Sequence, residues 1–397
     1  MILNLSNKND HLNIKDDIKI SENSFFVSEN VSRQYFTTLY KDNIYISDNP
    51  NELALFTNAT FDKTGIFLFA LTGSCFNLTS PFKNIYSLKN GIKVIRNNLR
   101  LVFRKGFSTK TTNTLSIDEA VSIFTSRLSN NKDTNYIPAI DSPEYNAYIE
   151  LNPGIKSLEI NLDETNIDYE FFDRLSAFPI INTSILDLLL IPNDKIKYST
   201  ILCGCKDLFS SYKWAITNDR DLTENIIKKS SPIPFEILNR IFEPKVIRDG
   251  LSIVRNYIDI SSHRKLIEYI FNSKVKPFNN LFNNDKRPFL PFIKDDIKNI
   301  VKSLPESVIN NNKVDYYPFR CIIDSNNKKR NSILNSHDLH IRFIKKNREI
   351  LEFMLKELSI KSLGEDTNFK YLNEIELFNT FLFYNYLKRS SIDISIK

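Results

Sequence analysis

Four short clusters in this chain carry side chains able to do chemistry. Asp141-Ser142 sets a carboxylate beside a hydroxyl; taken alone, that pair is a turn or helix-cap dipeptide. Cys203-Gly204-Cys205 puts two thiols one residue apart, with Lys206-Asp207 directly behind. Without a nearby His or second Cys pair the two thiols cannot complete a tetrahedral zinc set, so they read as small buried residues. His337 and His340 form H-x-x-H with no third ligand in view and read as helix surface or cap. Arg342, Lys345 and Lys346 follow at once, and cations at helical spacing are ordinarily a solvated face. Glycine is scarce: the chain has 8 in 397 residues, against roughly 7 % in average proteins, and no G-x-G occurs. The dinucleotide fingerprint, the Walker A loop and the kinase loop are thereby excluded, because each uses several glycines to bring backbone N–H groups onto phosphates.

The composition describes the framework that must hold these clusters. A length of 397 residues exceeds one ordinary core and suits two domains. Hydrophobic residues at 42 % and charged residues at 25 %, with 30 Phe and 17 Tyr, supply globular core material. The longest apolar run, Ile185 to Ile191, is interrupted by Asp187, so no membrane span is expected. Asn7, Asp10, Asp16 and Asp17 near the start leave no secretory signal pattern, and cytoplasm is the expected location. Cys75, Cys203, Cys205 and Cys321 are too few and scattered for a disulfide framework. The net charge of +6 arises from 53 basic and 47 acidic residues mixed along the chain. Such a weak excess permits an anionic ligand without arguing for nucleic acid, and no nucleic-acid partner is expected.

Element by element, Tyr35 to Tyr40 and Ile44 to Ser47 flank Lys41-Asp42-Asn43 as a hairpin. Asp48-Asn49-Pro50 then opens a short helix, Gly65 to Leu71 is a second one, and Ile92 to Ile95 with Leu99 to Phe103 form another hairpin. The Ser/Thr/Lys/Asn-rich stretch from Lys105 to Leu115 suits a solvated connector, which places a domain boundary there. Ser116 and Glu119 form a capping box ahead of an amphipathic helix. Ser157 to Leu162 and Tyr198 to Cys203 read as short buried strands separated by helical material, an alternation that suggests a parallel sheet. From Glu224 onward the pattern is mostly helical, including Leu251 to Tyr257, Ile350 to Leu358 and Glu374 to Leu387.

Several segments, in order, resemble the asparagine synthetase family. Tyr45 to Leu53 and Pro81 to Ile92 are similar to its N-terminal strand and helix and its "LFKGIKRLPPGH"-like segment. Ile140-Asp141-Ser142 stands where the family carries its S-G-G-x-D-S pyrophosphate loop, and Lys156 to Asp163 resembles the strand that follows. Leu202 to Tyr212 is similar to G-E-G-x-D-E-L-F-G-G-Y, and Pro291 to Lys294 with Leu304-Pro305 to the P-F-L-D and S-L-P segments.

The resemblance implies an α/β protein, α+β overall: a small β-rich Ntn-like domain over residues 1–110, then an adenine-nucleotide α-hydrolase-like ATP-pyrophosphatase domain over residues 111–397 with a parallel sheet and a helical C-terminal part. It also implies an AMP-forming carbon–nitrogen ligase that uses ATP and Mg2+ on a small-molecule or peptide carboxylate, as in peptide or natural-product maturation. The alternative is a degenerate member that acts as a binding subunit with a protein partner or as a homodimer. Residue 2 is Ile, which offers no nucleophile, so glutaminase chemistry is not expected, as in the β-lactam synthetase and lasso-peptide cyclase branches. By the same resemblance Asp141 holds magnesium, Ser142 and Gly204 hold pyrophosphate, and Arg342 and Lys345 neutralise it as it leaves. Pro138, in the place of a loop residue, has no N–H to give, and Ala139 adds a Cβ. Gapless alignment sets Lys206 at the second magnesium carboxylate, whereas a one-residue deletion would set Asp207 there; both registers are open.

Overall fold

The computed structural model describes residues 2–4, 17–21, 23–28, 31, 33–75, 77–105, 115–129, 135–138, 143–158, 175, 180–183, 185–191, 194–199, 231–257, 276–281, 289–290, 303, 336–365 and 367–393.

Alternating strands build the first hundred residues into two four-stranded antiparallel sheets. The first contains β1 (Leu3–Asn4), β4 (Phe36–Tyr40), β5 (Asn43–Ser47) and β6 (Tyr86–Ser87) in the order β1-β5-β4-β6. The second contains β2 (Ile18–Ser21), β3 (Ser24–Val27), β7 (Ile92–Asn97) and β8 (Arg100–Lys105) in sequence order. Lys41 and Asp42, with φ of 46° and 62°, make the tight turn that closes β4 onto β5. Leu3, Ile44 and Ile46 of the first sheet meet Ile18, Phe25, Val27 and Val94 of the second in one apolar layer, so the sheets are stacked face to face. The β4–β5 and β7–β8 hairpins match the reading from sequence, whereas the β2–β3 hairpin is an addition to it.

The outer face of the first sheet is covered by helices. α1 (Pro50–Thr57) begins where the Asn49 side chain accepts from the Asn51 N–H, with Pro50 in the first turn, and sets Phe56 against the rings of Tyr40 and Tyr45. α2 (Lys63–Thr72) begins at Asp62, whose carboxylate accepts from Thr64 and Gly65, and ends at Gly73 with φ of 83°. Every residue of α2 from Gly65 to Thr72 is buried, so this helix is apolar all round and packed all round. Its approach to the following loop demands glycine: a Cβ on Gly65 would lie 1.8 Å from the Ser80 carbonyl oxygen. Phe67, Leu68, Phe69 and Leu71 are each almost fully excluded from water, a burial worth roughly 1.5–3 kcal/mol per side chain.

The same core continues past residue 110 into the helical half. Beyond α3 (Ile117–Ser129), α4 (Pro143–Leu151) and α5 (Ile185–Leu189), the chain forms α6 (Phe235–Ile241), α7 (Pro244–Tyr257), α8 (Ser336–Lys346), α9 (Arg348–Leu363) and α10 (Glu374–Arg389). α7 packs on α2 so closely that a Cβ on Gly250 would meet the Phe67 ring at 2.4 Å. α10 starts with a reciprocal capping box between Asn373 and Glu376 and is buried from Leu377 to Leu387. It sets Tyr386 against Phe69 with ring centroids 4.8 Å apart, and the Tyr386 hydroxyl donates to Asn51 Oδ1 at 2.8 Å.

The architecture is thus mixed α+β. The multi-stranded parallel sheet expected after residue 111 is not seen among the described residues. What stands there is one parallel pair, β9 (Tyr136–Pro138) with β10 (Lys156–Leu158), and one parallel bridge from Tyr136 to Ser199. Tyr198, expected to open a strand, belongs to the 3-10 turn Ile196–Tyr198, and residues 159–162 and 200–203, most of the two expected strands, lie outside the described residues. Residues 106–114, which include most of the expected connector, lie outside the described residues.

Candidate functional site

The residues before α4 are organised by local bonds. Ser116 and Glu119 form the expected capping box: the Glu119 carboxylate accepts from the Ser116 N–H at 2.8 Å and the Ser116 hydroxyl accepts from the Glu119 N–H at 3.3 Å. The first of these bonds, then the Ser116 hydroxyl, hold the Glu119 carboxyl below its usual range. At the far end, buried Asn152 donates to the carbonyls of Leu128 and Tyr148, both at 2.9 Å, which ties the last turn of α3 to that of α4. Tyr145 and Tyr148 turn the inner face of α4 into the core.

β9, α4 and β10 therefore form a strand–helix–parallel strand unit, and Tyr136 stands at its register centre. Lys156 pairs with it on one side and Ser199 bridges it on the other. The Asn135 N–H donates to Tyr198 O at 2.9 Å, the Lys156 N–H donates to Asn135 O at 3.0 Å, and the Phe289 N–H donates to Ser199 O at 2.9 Å. Spatially the order is β10, β9, Ser199: the chain leaves β9 for one neighbour and returns on the opposite side. The return is made through the single bridge at Ser199, and the residues that follow it, 200–230, lie outside the described residues.

The bridge register relates the two sequence motifs. Asp141 follows Tyr136 by five residues and Gly204 follows Ser199 by five, so both motifs come after neighbouring, parallel, equally advanced points of the chain. Between the end of β9 at Pro138 and the start of α4 at Pro143 there are only four residues, Asp141 and Ser142 among them. Asp141, Ser142, Gly204, Lys206 and Asp207 themselves lie outside the described residues, as do Cys203 and Cys205. Among the described residues no group of three His, Cys, Asp or Glu side chains is placed to hold a metal ion.

Arg342 and Lys345 are described. Both are exposed on α8, while Phe343 and Ile344 between them are fully buried. α8 packs on α9 and α10, and nothing described brings the two cations to the β9–α4 connection. Ile2 is a half-buried side chain packed against the main core.

Sequence reasoning missed a buried polar latch between the halves. The Gln34 side chain donates to Cys75 O at 2.9 Å and to Ser87 Oγ at 2.8 Å, and its N–H donates to Asn280 Oδ1 at 3.1 Å. Asn280 answers by donating to Gln34 O at 2.7 Å and Asp48 O at 3.2 Å. Four residues earlier, Lys276 is buried with its ammonium donating to Asn90 Oδ1 at 2.5 Å. The 3-10 segment Lys276–Leu281 is thereby fastened to the β-sandwich through groups that must stay bonded once dehydrated. No local pattern marks Asn280, because its partners stand more than two hundred residues away in sequence.

A groove of ≈ 390 Å³ opens between α9 and α10, with Tyr384 and Ser362 joined across its floor at 2.7 Å. Burial pushes the Tyr384 hydroxyl well above its ordinary range and keeps it protonated. Burial likewise raises the Cys75 thiol, the free cysteine among the described residues, and keeps it from being a nucleophile at neutral pH. No helix among the described residues is long and apolar enough to cross a membrane. No protein-family model matches this chain, and no curated protein matches it at a significant level.

Proposed function

We propose that this chain is an asparagine-synthetase-like ligase that forms an amide bond at the expense of ATP, with an amine other than glutamine-derived ammonia as nucleophile. The observation that supports this reading is the parallel bridge between Tyr136 and Ser199, since Asp141 and Gly204 each follow a bridged residue by five positions; a switch point beyond them, where open α/β sheets bind ligands, is part of the proposal. ATP supplies an AMP group to the substrate carboxylate with loss of pyrophosphate, and the amine then displaces AMP and gives up a proton. Asp141 and Asp207 would hold Mg2+, Ser142 and the Gly204 backbone would hold pyrophosphate, and α4 would point the N–H groups of its first turn towards the same anion. Arg342 and Lys345 would neutralise the departing charge. Cytoplasmic location and a small-molecule or peptide carboxylate substrate belong to the same proposal.

A second reading, a scaffold that works as a binding or partner subunit, draws on a different observation. The connection from β9 to α4 is bounded by Pro138 and Pro143, so two positions lack an amide donor for phosphate. Thermal unfolding with and without millimolar Mg2+·ATP separates the two. Nucleotide at about 100 times its dissociation constant stabilises the fold by about 2.7 kcal/mol and raises the melting temperature, as the ligase reading requires. An unchanged melting temperature at millimolar nucleotide supports the scaffold.

A further inference from the structure

The second sheet turns one face to the first sheet and the other to solvent, and the outward face is cationic. Its four strands contain Lys19, Lys93, Arg96, Arg100, Arg104 and Lys105 and no acidic residue. The ladder sorts them. Val94 pairs with Phe103 on the face packed against the sandwich core, so Lys93 with Arg104, Ile95 with Val102 and Asn97 with Arg100 face outward. One row crosses all four strands: Lys19 pairs with Phe26, Phe26 with Lys93, and Lys93 with Arg104. With neighbouring strands ~4.8 Å apart, the row spans ~14 Å, with an aromatic ring among three cations.

Among the described residues this face has the marks of a surface without an internal partner. Phe26, Ile95 and Val102 are half-buried and belong to neither core cluster. Lys19, Lys93, Arg100 and Arg104 meet no carboxylate at ion-pair distance among the described residues. Arg96, turned the other way, pairs with Asp42 at 3.8 Å, so the one nearby acid that pairs is used elsewhere. Charged side chains also guard exposed sheets against edge pairing, but that purpose is served by charges on the edge strands and requires neither Lys93 on a central strand nor Phe26 beside it.

From this juxtaposition we infer that the outer face of the β2-β3-β7-β8 sheet binds single-stranded RNA, phosphates running along Lys19, Lys93, Arg100 and Arg104 and one base stacked on Phe26. Charge complementarity selects a polyanion, and the ring in the middle of the row selects one that carries planar bases over an acidic peptide. Ser21 and Ser24, a cross-strand pair in the next row, supply hydroxyls beside Phe26 for a ribose 2′-OH. Although the overall charge is diluted along the chain, folding collects cations from residues 19, 93, 100 and 104 onto one plane. The site is separate from the nucleotide reading above and stands or falls without it.

Fluorescence anisotropy of the full chain with a labelled oligouridylate of about twelve nucleotides tests the inference. Four phosphate contacts give a salt slope of about −3, so affinity should fall about 50-fold between about 50 and 200 mM salt. Lys93→Glu with Arg104→Glu should weaken binding more than about tenfold, and Phe26→Ala about tenfold with an unchanged salt slope. Lys93→Arg should retain binding. Unchanged melting temperatures show that the variants fold; if the double reversal fails to fold, Phe26→Ala and Lys93→Gln decide. No binding by the wild type at low salt, or equal binding by the Phe26 and Lys93 variants, overturns the site. Equal affinity for oligothymidylate or for polyglutamate overturns the assignment to RNA.

Discussion

The two sheets of the N-terminal sandwich share a core layer and differ on their other faces. The first is covered by α1 and by an α2 buried from Gly65 to Thr72, and its outward Phe36 and Tyr45 belong to the main core. The second carries lysines and arginines around a half-buried phenylalanine. One face is therefore a stability element, where shape decides, and the other an interaction element, where charge decides. Substitutions on them should separate cleanly into losses of folding and losses of binding.

The largest effect is expected at Gly65. Because a Cβ there would overlap the Ser80 carbonyl, Gly65→Ala must move backbone and should lower stability by about 3 kcal/mol, read as a shifted urea midpoint. Gly250→Ala, which meets a ring and no backbone, should lower it less. A wild-type midpoint in Gly65→Ala would mean that α2 does not sit on the Ser80 loop. Next come Gln34→Ala and Asn280→Ala, each expected to lower stability by about 1–3 kcal/mol since each leaves buried partners unbonded. The double variant should fall well short of their sum in a mutant cycle, and strict additivity would break the latch.

A pH effect sharpens the covered side further. Burial first, then the hydrogen bond to Asp17 at 2.6 Å, raises the Tyr35 hydroxyl, and burial raises that of Tyr386. A folded-state pKa above the unfolded value of about 10 means that the contribution of these groups is complete below pH ~10 and is lost as pH climbs towards the folded values. Alkaline titration of the melting temperature should therefore show a steep fall above pH ~10, shallower in Tyr386→Phe. Smallest of all, Phe26→Ala and Lys93→Glu on the bare sheet should change stability by no more than about 0.5 kcal/mol. A large drop there would make that face structural.

Short-range order was legible in the residues. The β4–β5 hairpin, the Asn49-Pro50 helix start and the Ser116/Glu119 box follow from side chains a few positions apart, and each is found in place. The β2–β3 hairpin escaped because its strands are four residues long and carry only one clear alternation, Ile18-Lys19-Ile20. Long-range order was not legible. Gln34 meets Asn280, and Lys19 comes onto one face with Arg104, only after the chain folds, and no periodicity records such arrangements. The start of the expected strand at Tyr198 was misread because short apolar runs do not distinguish a strand from a turn, and Tyr198 belongs to the turn. For the candidate site, the ordering of motifs came from sequence, while the register that relates them came from the Tyr136 bridges.

Direct titration of a non-hydrolysable ATP analogue, with Mg2+, into the wild type and Asp141→Ala tests the central claim most directly. Binding by the wild type at or below the millimolar range, weakened at least tenfold by the substitution, is what a shared crevice beyond β9 and Ser199 requires. Absence of binding by the wild type, or equal binding by the two proteins, would contradict it.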